Sequence, residues 1–141
     1  MADLEFFLAD TSAWHHSSVP KVADLWRRYL EEDRIATTPP VRLEVLFSAR
    51  SARDYDQTAE RLDALHQIPC GHEAFARALE VQRALAHKKA LHHRSVKIPD
   101  LLIAAAAEIA GASVWHYDGD FDRIAEITGQ PTQWIARRGS L

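Results

Sequence analysis

The chain has 141 residues, 47% of them hydrophobic, and its 17 Lys+Arg against 20 Asp+Glu give a formal charge of −3. That is length for one domain with a substantial core, and the charge excludes broad electrostatic adhesion to nucleic acid, so a polyanion must be met by a local basic patch or through a metal. The lone cysteine, Cys70, excludes an internal disulfide and a cysteine-based zinc cluster and fits a reducing compartment, the cytoplasm, while Asp3 and Glu5 before a short apolar run make neither a basic leader nor a membrane-length stretch, so no membrane contact is expected.

From the N-terminus, residues 4–9 read as a short strand closed by Asp10. Val22, Leu25, Trp26, Tyr29 and Leu30 recur at three- and four-residue spacing, which predicts an amphipathic helix over residues 20–32. A strand follows at residues 34–38, and Pro39-Pro40 opens a helix to about Ala49, because proline is preorganised for a first helical turn. Residues 54–66, with Tyr55, Ala59, Leu62 and Leu65 on one side, read as the next helix, and Ile68-Pro69-Cys70 as at most a brief strand. Residues 72–88 place Phe75, Leu79, Gln82 and Ala86 on one helical face, and the polar, basic stretch 87–97 is expected to loop. A helix over residues 99–110 ends at Gly111, a left-handed cap. A strand at 113–117, a helix at 121–128 and a short strand around 133–135 complete the order, with no internal repeat. Strands alternating with helices at this length favour an α/β fold with a central parallel sheet covered on both faces.

Four acids stand where a strand ends or a helix begins. Asp10 closes Phe6-Phe7-Leu8-Ala9 and Asp118 closes Ser113-Val114-Trp115-His116-Tyr117; ligands of an open parallel sheet bind beyond the carboxyl ends of its strands. Glu44 and Asp100 lie just inside the proline-opened helices, where an acid faces the positive end of the helix dipole. Converging without compensating lysines, such acids would repel one another, so the chain is expected to hold Mg²⁺ or Mn²⁺ among them. A hard cation keeps waters, one of which can attack while the charge on a phosphate oxygen is neutralised, and that chemistry is phosphodiester hydrolysis.

Each acid also has a plainer reading when taken alone. Asp100 is an ordinary first-turn residue, Glu44 a solvated surface acid with Arg42 or Arg50 for a partner, Asp10 a helix cap, and Asp118-Gly119-Asp120 a turn. A calcium loop beginning at Asp118 is excluded, since no acid falls at its twelfth position, near Gln130. An aspartyl-nucleophile phosphatase wants a second acid where Ser12 stands. Trp26 and Trp115 read as core, and Trp14, beside Asp10, is left open for RNA or partner contact. His15 and His16 read as surface or capping residues. The basic run His87-Lys88-Lys89, His92-His93-Arg94 and Lys97 is either a solvated loop or a set of phosphate contacts beside the metal.

In order, Leu8-Ala9-Asp10-Thr11-Ser12-Ala13, Arg42-Leu43-Glu44-Val45-Leu46, Ile98-Pro99-Asp100-Leu101-Leu102-Ile103-Ala104-Ala105 and His116-Tyr117-Asp118-Gly119-Asp120-Phe121 resemble the PIN-domain ribonucleases, specifically the VapC-type toxins of prokaryotic toxin–antitoxin pairs, over nearly the whole chain. The resemblance implies a PIN-like three-layer fold. It implies Asp10, Glu44, Asp100 and Asp118 as metal-binding and catalytic acids, Asp120 as a neighbouring contributor or a substitute for Asp118, and Thr11 and Ser12 as residues that orient the first carboxylate. Many relatives have threonine where this chain has His116, which alters the supporting hydrogen bond there. Arg50, Arg94, Lys97 and His116 are the candidates for RNA contact. Implied with them are a Mg²⁺- or Mn²⁺-dependent endoribonuclease that cuts tRNA, rRNA or mRNA, a VapB-type antitoxin whose extended tail blocks the acidic pocket, and a homodimer. The competing expectation is a binding module on the same fold that acts with an antitoxin as a co-repressor on DNA, although no DNA-reading helix is visible in the chain.

Overall fold

Phe7, Leu8 and Ala9 are extended and covered on both faces, and they form β1 (Phe7–Ala9) at the centre of the sheet. The computed structural model describes residues 5–141, so Asp3 and the expected strand start at Leu4 lie outside the described residues. β2 (Ile35–Thr37) and β3 (His66–Gln67) extend the sheet to one side, β4 (Ser113–His116) and β5 (Thr132–Trp134) to the other, in the order β3-β2-β1-β4-β5. All four pairings are parallel, as the alternation of elements predicts. The chain thus builds outward from β1 in one direction and then restarts on the opposite side. The reversal lies between β1 and β4, and the crevice beyond their carboxyl ends is where ligands of such sheets bind. The register sets Phe7 opposite Ser113 and Ala9 opposite Trp115, and the Asp10 N–H donates to the Trp115 carbonyl at 2.9 Å. Asp10 is therefore fixed at that crevice by the sheet itself.

Alternate side chains of a strand point to opposite faces. On one face Trp115 stacks on Trp26 with centroids 5.5 Å apart and Phe7 stacks on Tyr29 at 5.0 Å; Trp26 and Tyr29 come from α2 (Pro20–Glu31). On the other face His116 meets Phe121 of α7 (Asp120–Thr128) at 5.0 Å. Trp14 is no exposed platform: half-buried, it packs edge-on against Trp26 beneath the Arg61 guanidinium. Burial on both faces makes this a sheet flanked by helices, with the aromatic core under the end of β1.

Two proline-opened helices bring Glu44 and Asp100 in. α3 (Pro39–Phe47) and α6 (Ile98–Ala110) both carry proline in the first turn. α6 is almost wholly apolar, and Ala104, Ala105, Ala106 and Ala107 are buried, small side chains that let the helix run close under β4. It stops at Gly111, whose φ of 73° is left-handed and whose N–H caps the last turn.

Elsewhere the boundaries move for local reasons. Asp10 accepts the Ser12 N–H and starts an unforeseen short helix, α1 (Thr11–His15). Ser51 accepts the Asp54 N–H and starts α4 early, at Ala52, and the helix stops at Asp63, so that His66–Gln67 can pair with β2 as β3. Ile68-Pro69-Cys70 is not the strand; only the Ile68 N–H still reaches the Thr37 carbonyl, and Pro69 has no N–H to continue the ladder. The expected loop at 87–97 is partly ordered: α5 (His72–Lys88) runs into it, and His92–Ser95 closes one 3₁₀ turn after Leu91. Among the described residues no helix is long and apolar enough to cross a membrane.

A methyl group on Gly111 meets nothing within 4 Å, so the cost of Gly111→Ala comes from its positive φ alone. The expected loss is roughly 1–2 kcal/mol, read as a lowered urea midpoint at unchanged m-value.

Candidate metal centre

Asp10 stands one residue beyond β1, and its two carboxylate oxygens have different surroundings. Oδ2 accepts the Ser12 N–H at 3.0 Å and the Ser12 hydroxyl at 2.6 Å, and that hydroxyl accepts the Tyr117 N–H at 2.8 Å. One side chain thus ties the end of β1 to the end of β4. Oδ1 is buried without any partner. Burial raises the Asp10 pKa despite the Ser12 bonds.

Glu44, on α3, receives the Thr11 hydroxyl on Oε1 at 2.8 Å. Neither arginine considered for it is its partner: Arg42 binds Asp63 and Gln67, and exposed Arg50 gives only its backbone N–H, to Asp54. Asp100, in the first turn of α6, is 3% exposed, and no hydrogen bond reaches its Oδ2, although the Lys97 ammonium stands 3.5 Å away. Oxygens of Asp10, Glu44 and Asp100 all lie within 4.8 Å of one another.

The second part of the cluster follows β4. Asp118 Oδ1 accepts the Asp120 N–H at 3.0 Å, and Asp118 Oδ2 accepts from Lys97 Nζ at 2.8 Å. Asp120, buried at the start of α7, accepts the Lys97 backbone N–H at 3.0 Å on Oδ2 and Arg123 Nη2 at 2.6 Å on Oδ1. Asp100, Asp118 and Asp120 likewise have oxygens within 4.8 Å of one another, so Asp100 is shared by two triads.

The expectation of acids without a compensating lysine is corrected here. Lys97, a candidate for RNA contact, has its ammonium among three of the carboxylates. Its nearness to Asp100 was legible from their three-residue spacing, but its contacts with Asp118 and Asp120, 21 and 23 residues away, were not. Arg123 was legible in principle, one helical turn after Asp120. His116 is corrected as well. It is fully buried against Phe121 and Trp134, so no RNA reaches it. Its Nδ1 instead accepts the Asp118 N–H at 3.1 Å, and burial lowers its pKa to about 4, so the ring is neutral and fixes the turn that carries Asp118. Arg94 is exposed on the 3₁₀ turn, and it and Arg50 make no ion pair with the acids.

Electrostatically the acids divide. Burial first, then the close Asp120 carboxyl and the Asp10 charge, pushes the Asp100 pKa up; at Asp120 burial is outweighed by hydrogen bonding to Asp100, Lys97 and Arg123, and the pKa falls. Burial also works against the Lys97 charge, yet its bonds to Asp118 and Asp120 prevail and hold it protonated. Oxygen donors alone, two of them buried and unpartnered, suit a hard divalent cation.

Residues 7–127 match the PIN domain family. The chain belongs to the PIN-domain family. Ribonuclease VapC18 of Mycobacterium tuberculosis is 59% identical to it over 135 residues, 96% of this chain and 98% of that protein. Ribonuclease VapC21 of the same species is 42% identical, over 95% and 96% of the two chains. Among solved structures, DNA-bound VapBC from Salmonella typhimurium superposes with a TM-score of 0.75 at 19% identity, over 94% of this chain and all of that one, and VapBC-5 from Mycobacterium tuberculosis with 0.59 at 24%, over 94% and 98%. These last two likenesses are of fold.

A carboxyl whose pKa is raised by folding contributes stability that is complete below its unfolded pKa and is lost as pH rises toward the folded value. In this PIN domain Asp100 is such a group, and asparagine cannot ionise. In EDTA, Asp100→Asn should gain thermal stability relative to the parent between about pH 5 and about pH 8. A difference in melting temperature that stays flat with pH would contradict the assignment.

Proposed function

We propose that this PIN-domain protein is a metal-dependent endoribonuclease of the VapC toxin class. The observation that carries the reading is the convergence of Asp10, Glu44, Asp100, Asp118 and Asp120 at the reversal point of the sheet, with Asp10 Oδ1 and Asp100 Oδ2 buried and unpartnered. The 59% identity to a protein named as a ribonuclease supports it over nearly the full chain.

Asp10, Glu44 and Asp100 would hold the ion, Mg²⁺ or Mn²⁺, with Asp118 and Asp120 completing the acidic set. Bound there, it would supply charge neutralisation at a phosphate oxygen and activation of a water for in-line attack. The chain's own residues set the geometry. Ser12 aims Asp10, Thr11 holds Glu44, His116 fixes the turn before Asp118, and no side chain is needed as a nucleophile. The substrate is RNA, in the tRNA, rRNA or mRNA class, and exposed Arg50 and Arg94 remain candidates for its backbone.

The biological setting follows from the same kinship. The protein works as a toxin held in check by a VapB-type antitoxin, forms a homodimer and acts in the cytoplasm, where its RNA substrate and the reduced state of Cys70 belong together.

Incubating purified, antitoxin-free protein with total RNA in Mg²⁺, Mn²⁺ or EDTA should give discrete fragments only with metal. Asp10→Asn should lower that cleavage at least about 100-fold and Ser12→Ala about 10–100-fold, as for the loss of an outer partner of a metal ligand. Cleavage in EDTA, or an Asp10→Asn protein as active as the parent, would overturn the reading.

A further inference from the structure

The two triads of acids are not equivalent. Lys97 Nζ lies 2.8 Å from Asp118 Oδ2, 3.1 Å from Asp120 Oδ2 and 3.5 Å from Asp100 Oδ2, within salt-bridge reach of all three carboxylates while its stem stays exposed. Asp10 and Glu44 have no lysine or arginine contact among the described residues; their partners are the hydroxyls of Ser12 and Thr11. The fold holds the ammonium in place at its root. Lys97 is the residue that caps α6, its backbone N–H donates to Asp120, and Val96 before it is buried.

We infer that Lys97 is the built-in occupant of a second cation position, so that this site takes one divalent ion, at Asp10, Glu44 and Asp100, rather than two. The inference rests on the metal-site reading above and goes beyond it in fixing the number of ions and the residue that limits it. A compact, strongly hydrated ammonium with three donors is a fair substitute for a small cation among carboxylates, and its flexible stem lets it settle there.

Charge balance agrees. With all five carboxylates ionised, the state a bound divalent ion favours, Lys97 and Arg123 leave three negative charges at the cluster. One divalent ion reduces them to a single negative charge, whereas two would make the cluster positive while Lys97 remains. A second ion in the Asp118 triad would also stand within a few ångströms of the ammonium, and such like charges repel. Lys97 therefore acts as a positioning residue: it neutralises Asp118 and Asp120 so that the acids can be held together around a single ion.

The test is Mn²⁺ stoichiometry, followed by the electron paramagnetic resonance signal of free Mn²⁺ during titration into the full chain. The parent should saturate at one ion per chain, Lys97→Met at two, and Lys97→Arg, which restores a cation, at one again. Circular dichroism checks that each variant is folded. Two ions bound by the parent would overturn the inference whether or not Lys97→Met folds, and a folded Lys97→Met that still binds one would do so too. Asp10→Asn separates the two levels. Its loss of the single ion supports the metal site itself, while a parent that binds no Mn²⁺ overturns the metal reading together with this one.

Discussion

Gathering five carboxylates at one end of a sheet, four of them on segments far apart in sequence, is unfavourable unless something offsets the repulsion. The surroundings of each acid show how the protein meets that constraint. Asp10 takes the N–H and the hydroxyl of Ser12, and Glu44 the hydroxyl of Thr11. Asp118 and Asp120 take cations and backbone N–H groups instead. Asp100 takes no hydrogen bond at Oδ2, and burial, with the Asp120 carboxyl and the Asp10 charge beside it, raises its pKa. The site is thus polarised, with neutral donors on one side, charged partners on the other, and the shared Asp100 between them.

The sheet makes that arrangement possible because its order reverses between β1 and β4. Asp10 leaves one strand and Asp118 the next, and the Ser12 hydroxyl bridges the two exits through the Tyr117 N–H. The aromatic stack of Trp26, Trp115, Phe7 and Tyr29 lies beneath one face at the same point. Rigid packing below and hydrogen bonds above keep the carboxylates in position where a mobile loop would let them separate.

His116 has a structural role at the edge of the site. The chain buries there an imidazole that accepts the Asp118 N–H and packs on Phe121 and Trp134. Its depressed pKa keeps the ring neutral, so the acceptor at Nδ1 stays available across the physiological range.

By itself the sequence determined the parallel α/β fold, the places of the principal helices and most strands, and the positions of acids at strand ends and helix starts. These follow from periodicity, proline, glycine and turn residues within a few positions of each element. Only the tertiary structure decided that β3 is His66–Gln67 rather than Ile68-Pro69-Cys70, since an edge pair that short depends on where β2 lies and not on its own apolar content. It alone turned Trp14 and His116 inward, because burial belongs to the partners a residue meets. Likewise, the meeting of Asp100 with both triads and the place of Lys97 among the acids come from chain segments brought together by folding, and no local pattern encodes a contact between residues 97 and 118.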